Sequence, residues 1–361
     1  MNERLKDIFF TKESILSLAE AIKDVYPDFD QVRFTKLIYS EDWGEMALKE
    51  KMHHTAECMH KTLPEDYSRA LKILKQIIPR VKGFEALAFP DFVERYGFKD
   101  WNLSLPALGY FTKFGSAEFA IRPFLAHDYK QVMPFLHGWA GDQDENVRRL
   151  ASEGCRPRLP WGMRLDIFVT NPEPVIEILE ILKDDESETV RRSVANNIND
   201  ISKDNPEIAL EVAERWIGYS ENRDWIVKHA CRGLLKSGNQ RAMGLFGFCD
   251  PENTVVEQFK IVPESARIGD RVMLQFRLVV NSQNDTLIRL EYIVGYVKAS
   301  GKSSKKVFKI SERSYTPGTH RIKKSHNFAD MSTRKHYPGI HRFSIKVNGV
   351  EKAHSEVKLS G

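Results

Sequence analysis

Three stretches of this chain repeat one another. ENVRRLASEG (145 to 154), ETVRRSVANNI (188 to 198) and DWIVKHACRGL (224 to 234) align at Val147, Val190 and Ile226, offset by 43 and then 36 residues. Each is helical in pattern, and the first carries Val147, Leu150, Ala151 and Gly154 at i, i+3, i+4 and i+7. A recurrence of this length means that a unit of about two helices buries its apolar face only against its neighbours. The expected fold is therefore a curved α-solenoid of HEAT-like repeats, in which position along the repeat predicts position in space.

The alignment puts Arg149, Arg192 and Lys228 at one position of successive repeats. Stacked in register, they form a basic row suited to phosphates. The alternative is that a cation here pairs with the preceding repeat and serves the fold alone. Spacing leaves both open.

Helical patterning fills the rest of the first 240 residues. Ile15, Leu16, Ala19 and Ile22 form one stripe, and Ala70, Leu71, Ile73, Leu74, Ile77 and Ile78 another; Pro172 and Pro174 introduce a third helix in VIEILEILKDD. YPDFD, TLPED and NPEP mark the breaks. Beyond residue 253 the pattern changes to short runs of β-branched and aromatic residues: FKIV, RVMLQFRLVV, IRLEYIVGYV, KKVFKI, HRIKKSHNF, GIHRFSIKV and HSEVKL. Turn-rich segments such as ESARIGD, NSQND and TPGTH separate them. Seven such strands predict an immunoglobulin-like sandwich without a cysteine pair. The expected organisation is a mainly α domain over 1–248 and an all-β domain over 254–361.

Charge divides at the same place. Residues 254–361 hold 20 Lys and Arg against 9 Asp and Glu, net +11, whereas the preceding residues hold 34 against 41, net −7. A basic module of this kind suits a polyanion, and a lysine-rich solvated surface is the plainer alternative. ASGKSSKK (299 to 306) and STRKHYPG (332 to 339) are its candidate contact loops. The N-terminus lacks the apolar core of a signal peptide and no apolar run reaches the roughly 20 residues of a membrane span, so a cytoplasmic protein is expected. Cys58, Cys155, Cys231 and Cys249 are widely spaced and read as reduced, packed thiols. His53, His54, Cys58 and His60 offer ligand types but no second ligand pair, so neither metal nor cofactor is expected.

One stretch carries candidate chemistry. In NVRRLASEGCRPRLPWG (146 to 162), Val147, Leu150, Ala151 and Gly154 face the core, while Arg149, Glu153 and Arg156 share another face. The flanking cations favour an ionised Glu153. Pro157 is expected to end the helix, and Pro160 to fix where Trp161 points. A carboxylate between arginines beside an aromatic wall suits a developing cation next to an anionic polymer. An intrahelical salt bridge and a buried tryptophan would produce the same spacing.

SAEFAIRPFLAHD (116 to 128), ENVRRLASEGCRPRLPWG (145 to 162) and ETVRRSVANNINDISKDNP (188 to 206) resemble the hallmark blocks of the bacterial AlkC alkylpurine DNA glycosylases, relatives of AlkD among the HEAT-like repeat glycosylases. The similarity runs through about residue 245, and one AlkC subgroup carries a C-terminal immunoglobulin-like domain. The resemblance implies hydrolysis of the N-glycosidic bond of cationic bases, chiefly 3-methyladenine and also 3-methylcytosine, in double-stranded DNA, without enclosing a flipped base. It implies Glu153 for water activation and sugar contact, with Glu118 and Asp200 as further carboxylates and Trp161 against the deoxyribose or base. Arg149, Arg156, Arg192 and Lys228, with Arg148 and Arg158, would bind DNA. A monomer in the bacterial cytoplasm, associated with the nucleoid when bound to DNA, is expected. The alternatives are a HEAT-repeat scaffold for a protein partner and a DNA-binding protein without catalysis.

Overall fold

The computed structural model describes residues 9–248, 251–331 and 334–361. It divides into two compact units, Met1–Ala230 and Cys231–Gly361. The first unit is helical: α1 Lys12–Val25, α2 Gln31–Ile38, α3 Leu48–Thr62, α4 Tyr67–Ile77, α5 Ala88–Tyr96, α6 Trp101–Phe111, α7 Arg122–Ala140, α8 Glu145–Gly154, α9 Asp166–Thr170, α10 Glu173–Leu182, α11 Glu188–Ile201, α12 Pro206–Trp216 and α13 Glu221–Ala230. The second unit opens with α14 Arg232–Ser237 and α15 Gln240–Leu245 and continues in strands.

The breaks legible in the sequence work as helix starts. Asp30 of YPDFD accepts a hydrogen bond from the Arg33 amide, and Asp66 of TLPED one from the Arg69 amide, each satisfying a donor that the first turn leaves unpaired. The three repeat anchors Val147, Val190 and Ile226 are all buried. Their helices lie side by side, with α11 packed between α8 and α13. Helix α7 is two helices joined at Asp128, whose backbone is extended (φ −150°, ψ 87°) and whose carboxylate caps the second segment through the Lys130 and Gln131 amides.

Helix α8 ends at Gly154, three residues before the proline expected to stop it. At this last residue the helix approaches the segment before α7 closely. A Cβ on Gly154 would stand 2.7 Å from Cγ2 of Ile121, just ahead of α7, and β-branched Ile121 has little rotameric freedom to withdraw. Gly154→Ala is expected to cost about 1–3 kcal/mol, as overpacking does in a filled core. Thermal unfolding checks this, and an unchanged midpoint would show that Ile121 can move aside.

The strands are β1 Thr254–Val262, β2 Ser265–Arg267, β3 Arg271–Val280, β4 Thr286–Val297, β5 Ser303–Tyr315, β6 Gly318–Asn327, β7 Gly339–Val347 and β8 Val350–Ser360. They form a sheet of order β1-β3-β6 and another of order β2-β8-β7-β4-β5. The second contains the strand missed in sequence, since three-residue β2 lies within ESARIGD and pairs parallel to β8. Alternate residues of β3 (Val272, Leu274, Phe276, Leu278 and Val280) face Leu290, Tyr292, Val294, Phe343 and Ile345 in one core. This is an immunoglobulin-like sandwich following a HEAT-like helical region.

The opposite face of β4 also carries contacts. Arg289 pairs with Glu291 and Glu312, and Lys346 on β7 donates to the Lys236 carbonyl of α14. Gly238 and Gly349 meet backbone to backbone, both at positive φ, so a Cβ on Gly238 would lie 2.5 Å from the Gly349 oxygen. Residues 231–248 thus join the sandwich through polar contacts and glycine packing that strand periodicity does not register.

Candidate active site

A cleft of about 740 Å³ opens in the helical unit between the α3 region, the segment preceding α7 and the end of α8. Its walls are largely apolar, with Leu48, Met52, Phe84, Phe114, Phe119 and Leu159, and its polar residues include Glu118, Arg149, Glu153 and Arg156. Residues from the first and second resemblance blocks therefore share one site.

Side-chain bonds link the charged groups in a chain. Arg149 donates to Glu118 Oε2 at 2.6 Å and to Ser116 Oγ at 3.0 Å, while Ser116 also donates to Glu118 at 2.8 Å. The Arg149 guanidinium lies 3.8 Å from Glu153 Oε1. Arg156 donates to that same oxygen at 2.6 Å and, through Nε, to Asp200 Oδ2 at 2.8 Å. Asp200 Oδ1 accepts from Lys203 at 2.7 Å. Glu153 is 6% exposed and Asp200 1%, so water has limited access to compete for these bonds. Burial alone would lower the Arg156 pKa, but Glu153 and Asp200 outweigh it and leave the pKa raised.

This placement changes the expected role of Arg156. The side chain is 8% exposed and shared between two carboxylates, so it is poorly placed for a phosphate and well placed to hold Glu153. Asp200 is not part of the cleft wall and meets the site through Arg156. Its geometry suits holding that arginine rather than touching a sugar.

The segment after α8 is fixed by a residue the sequence reading passed over. Arg122 is fully buried and donates to three carbonyls: Met163 through Nε at 2.6 Å, Gly154 through Nη1 at 2.8 Å and Arg156 through Nη2 at 2.8 Å. Burial lowers its pKa to about 10, which still leaves it protonated at neutral pH. A cation in the first turn of a helix opposes the helix dipole, and that misfit was the available sign that Arg122 serves another segment.

The aromatic at the cleft edge is exposed, contrary to the buried tryptophan that spacing also allowed. Trp161 is 75% exposed and has φ +63°, a left-handed conformation that costs a non-glycine residue about 1–2 kcal/mol. Lys49 of α3 donates to its carbonyl at 2.9 Å and lies 4.3 Å from the centre of the Phe119 ring. Long-range contacts thus hold the backbone that presents the indole.

The remaining cations separate by environment. Arg148 bonds Asp185 from its turn and the carbonyls of Asp142 and Gln143, which joins one repeat to the next and accounts for it structurally. Arg191, at the same register position, donates to the carbonyls of Asp185 and Glu186. The first arginine of each pair is thus taken up by the turn ahead of its own helix, and Arg148 also by Asp185 of the next repeat, whereas Arg149 turns into the cleft. Arg158 forms a two-pronged pair with Asp204. Arg192 is exposed and pairs with Glu188 one turn away, and Lys228 is half-buried on α13.

His53 bonds Asp91, His54 bonds the Leu37 carbonyl, and His60 stacks on Tyr96 at 3.7 Å. These imidazoles have separate partners, and no group of three potential ligands is found among the described residues. Burial pushes the thiols of Cys58 and Cys155 up to about 12, consistent with packed, protonated groups. Cys249 lies outside the described residues. In the sandwich, Lys298, Lys305, Lys306, Arg334 and Lys335 line one shallow cleft beside Tyr296. Both basic segments contribute to it, the first through Lys305 and Lys306 on β5 rather than from a loop, although Ser332 and Thr333 of the second lie outside the described residues.

A HEAT-like helical region with a carboxylate–arginine cleft, joined in sequence to a basic immunoglobulin-like domain, defines the class of protein. The family model described as "Uncharacterised protein YhaZ, C-terminal Ig-like domain" matches residues 255–361. The chain is 42% identical over 349 residues to "Uncharacterized protein YhaZ" of Bacillus subtilis (strain 168), covering 96% of this chain and 97% of that protein. It is 38% identical to the Pseudomonas fluorescens alkylpurine DNA glycosylase AlkC, solved bound to DNA containing an abasic site analog, with a TM-score of 0.94 and coverage of 99% of this chain and 100% of that one. The chain belongs to the AlkC family.

Proposed function

We propose that this protein is a DNA glycosylase that removes cationic alkylated bases, 3-methyladenine foremost and 3-methylcytosine also, from double-stranded DNA. The observation that carries the reading is the chain Glu118, Arg149, Glu153, Arg156 in one cleft with Trp161 exposed at its edge, within a family that includes a glycosylase solved on abasic DNA. A cationic base leaves with the bonding pair of the glycosidic bond and departs neutral. The site then has to stabilise positive charge at the sugar C1′ and deliver water. Glu153 accepts the water proton as the water oxygen bonds to C1′, Glu118 adds negative charge toward the sugar, and Trp161 packs on the deoxyribose. An abasic site remains.

Arg149 divides its guanidinium between Glu118 and Ser116, so its first task is to orient Glu118. Exposed Arg192, with Lys228, supplies phosphate contacts, and the lysine-rich cleft of the sandwich offers further cations for DNA. Arg192→Ala is expected to weaken duplex binding about threefold to tenfold and reduce the salt slope by about one counterion. Affinity measured across a salt series tests this, and an unchanged slope assigns Arg192 to its pair with Glu188. We assign the protein to the cytoplasm as a monomer, where its DNA lies. The function itself is tested by chromatography of free base from methylated duplex DNA: 3-methyladenine is expected, and its absence would leave DNA binding without catalysis.

A further inference from the structure

Ser193 occupies in α11 the register position that Leu150 holds in α8, so a hydroxyl stands where the preceding repeat places a core leucine. The residue is 2% exposed, and a hydroxyl so placed is costly unless hydrogen-bonded. Its Oγ donates to Glu153 Oε2 at 2.6 Å and lies 2.7 Å from the Ser152 hydroxyl, which donates to it. The other Glu153 oxygen accepts Arg156 at 2.6 Å. The carboxylate is therefore held at both oxygens, by its own exit segment and by the next repeat.

We infer that Ser193 is a positioning residue for Glu153. The inference rests on the glycosylase reading above. A carboxylate held at one oxygen can turn about its last torsion, which has only a broad twofold preference. The bond from Ser193 removes that freedom. Each carboxylate oxygen can accept two hydrogen bonds, so Oε2 can bond Ser193 and still receive the water proton. The second repeat thus orients a base carried by the first, and the register between α8 and α11 becomes part of the reaction geometry.

The test uses the full chain with Ser193→Ala, Glu153→Gln and the double variant, reading the single-turnover rate of 3-methyladenine release, affinity for abasic-site duplex, and the melting midpoint. Ser193→Ala is expected to slow release about tenfold, the effect of a misoriented catalytic group, with affinity held within about twofold. Added to Glu153→Gln it should cost less than about twofold, because it acts only through that carboxylate. An active wild type with an equally fast Ser193→Ala overturns the role. So does an equal loss in both backgrounds, or a loss of affinity matching the loss of rate. No release by the wild type removes the underlying function, and this role with it.

Discussion

Glu153→Gln is expected to slow base release by about 10²–10³-fold while leaving affinity for abasic-site duplex within about threefold, the range for loss of a positioned base or charge-stabilising group. The side chain keeps its volume, and its amide oxygen can still accept from Arg156 or Ser193, so the cleft should persist. What disappears is the negative charge facing C1′ and the acceptor for the water proton. Single-turnover kinetics separates this from a binding defect, because an effect made only in the transition state lowers rate without lowering affinity. A rate within about threefold of wild type would transfer the proton-accepting role elsewhere, with Glu118 next in line as a wall of the same cleft.

Arg122→Ala should have the largest effect on stability. It removes hydrogen bonds to three carbonyls, two of them within the buried Gly154–Arg156 segment, together with a fully buried side chain. Leaving buried acceptors unpaired costs about 1–3 kcal/mol each, and a net loss of about 3–5 kcal/mol is expected. For a unit of this size that corresponds to a fall in melting midpoint of about 10 °C. Arg122→Lys should recover little, because a compact ammonium cannot reproduce a planar fork directed at three oxygens. Where the variant remains folded, activity should still be low, since the segment carrying Arg156 and Trp161 has lost its anchor. A midpoint within about 2 °C of wild type would mean that water substitutes for the guanidinium at all three carbonyls.

These two residues show what was legible. Glu153 could be found because its partners are local: Arg149 and Arg156 lie within one helical turn on either side, where spacing predicts contact. The repeat register located the buried anchors, and strand alternation identified the sandwich, because helical and strand periods are properties of the sequence itself. Arg122 pins a segment more than 30 residues away, Lys49 reaches Trp161 across more than 100, and Ser193 meets Glu153 across 40. Such contacts depend on how repeats stack, which periodicity describes only as a repeat length.

The paired arginines mark the same boundary. Arg148 and Arg149 are adjacent and chemically identical, yet one binds Asp185 of the following turn and the other Glu118 of the cleft. Only the direction of each side chain on α8 distinguishes them. Arg156 lay on the predicted face, but spacing could not show that Asp200 would cover it from the neighbouring repeat. Short β2 carries too few residues for alternation to show, and its pairing with β8 joins segments about 90 residues apart.

Because the proposed site stabilises a sugar cation and leaves the positive charge of the lesion to activate the leaving group, the most direct test compares two lesions in one duplex sequence. The measurement is single-turnover release of base by the wild-type protein from DNA containing 3-methyladenine and from DNA containing hypoxanthine, a neutral base. Release of 3-methyladenine with hypoxanthine left in place is the predicted result. No release of either base, or release of hypoxanthine at a comparable rate, would contradict it.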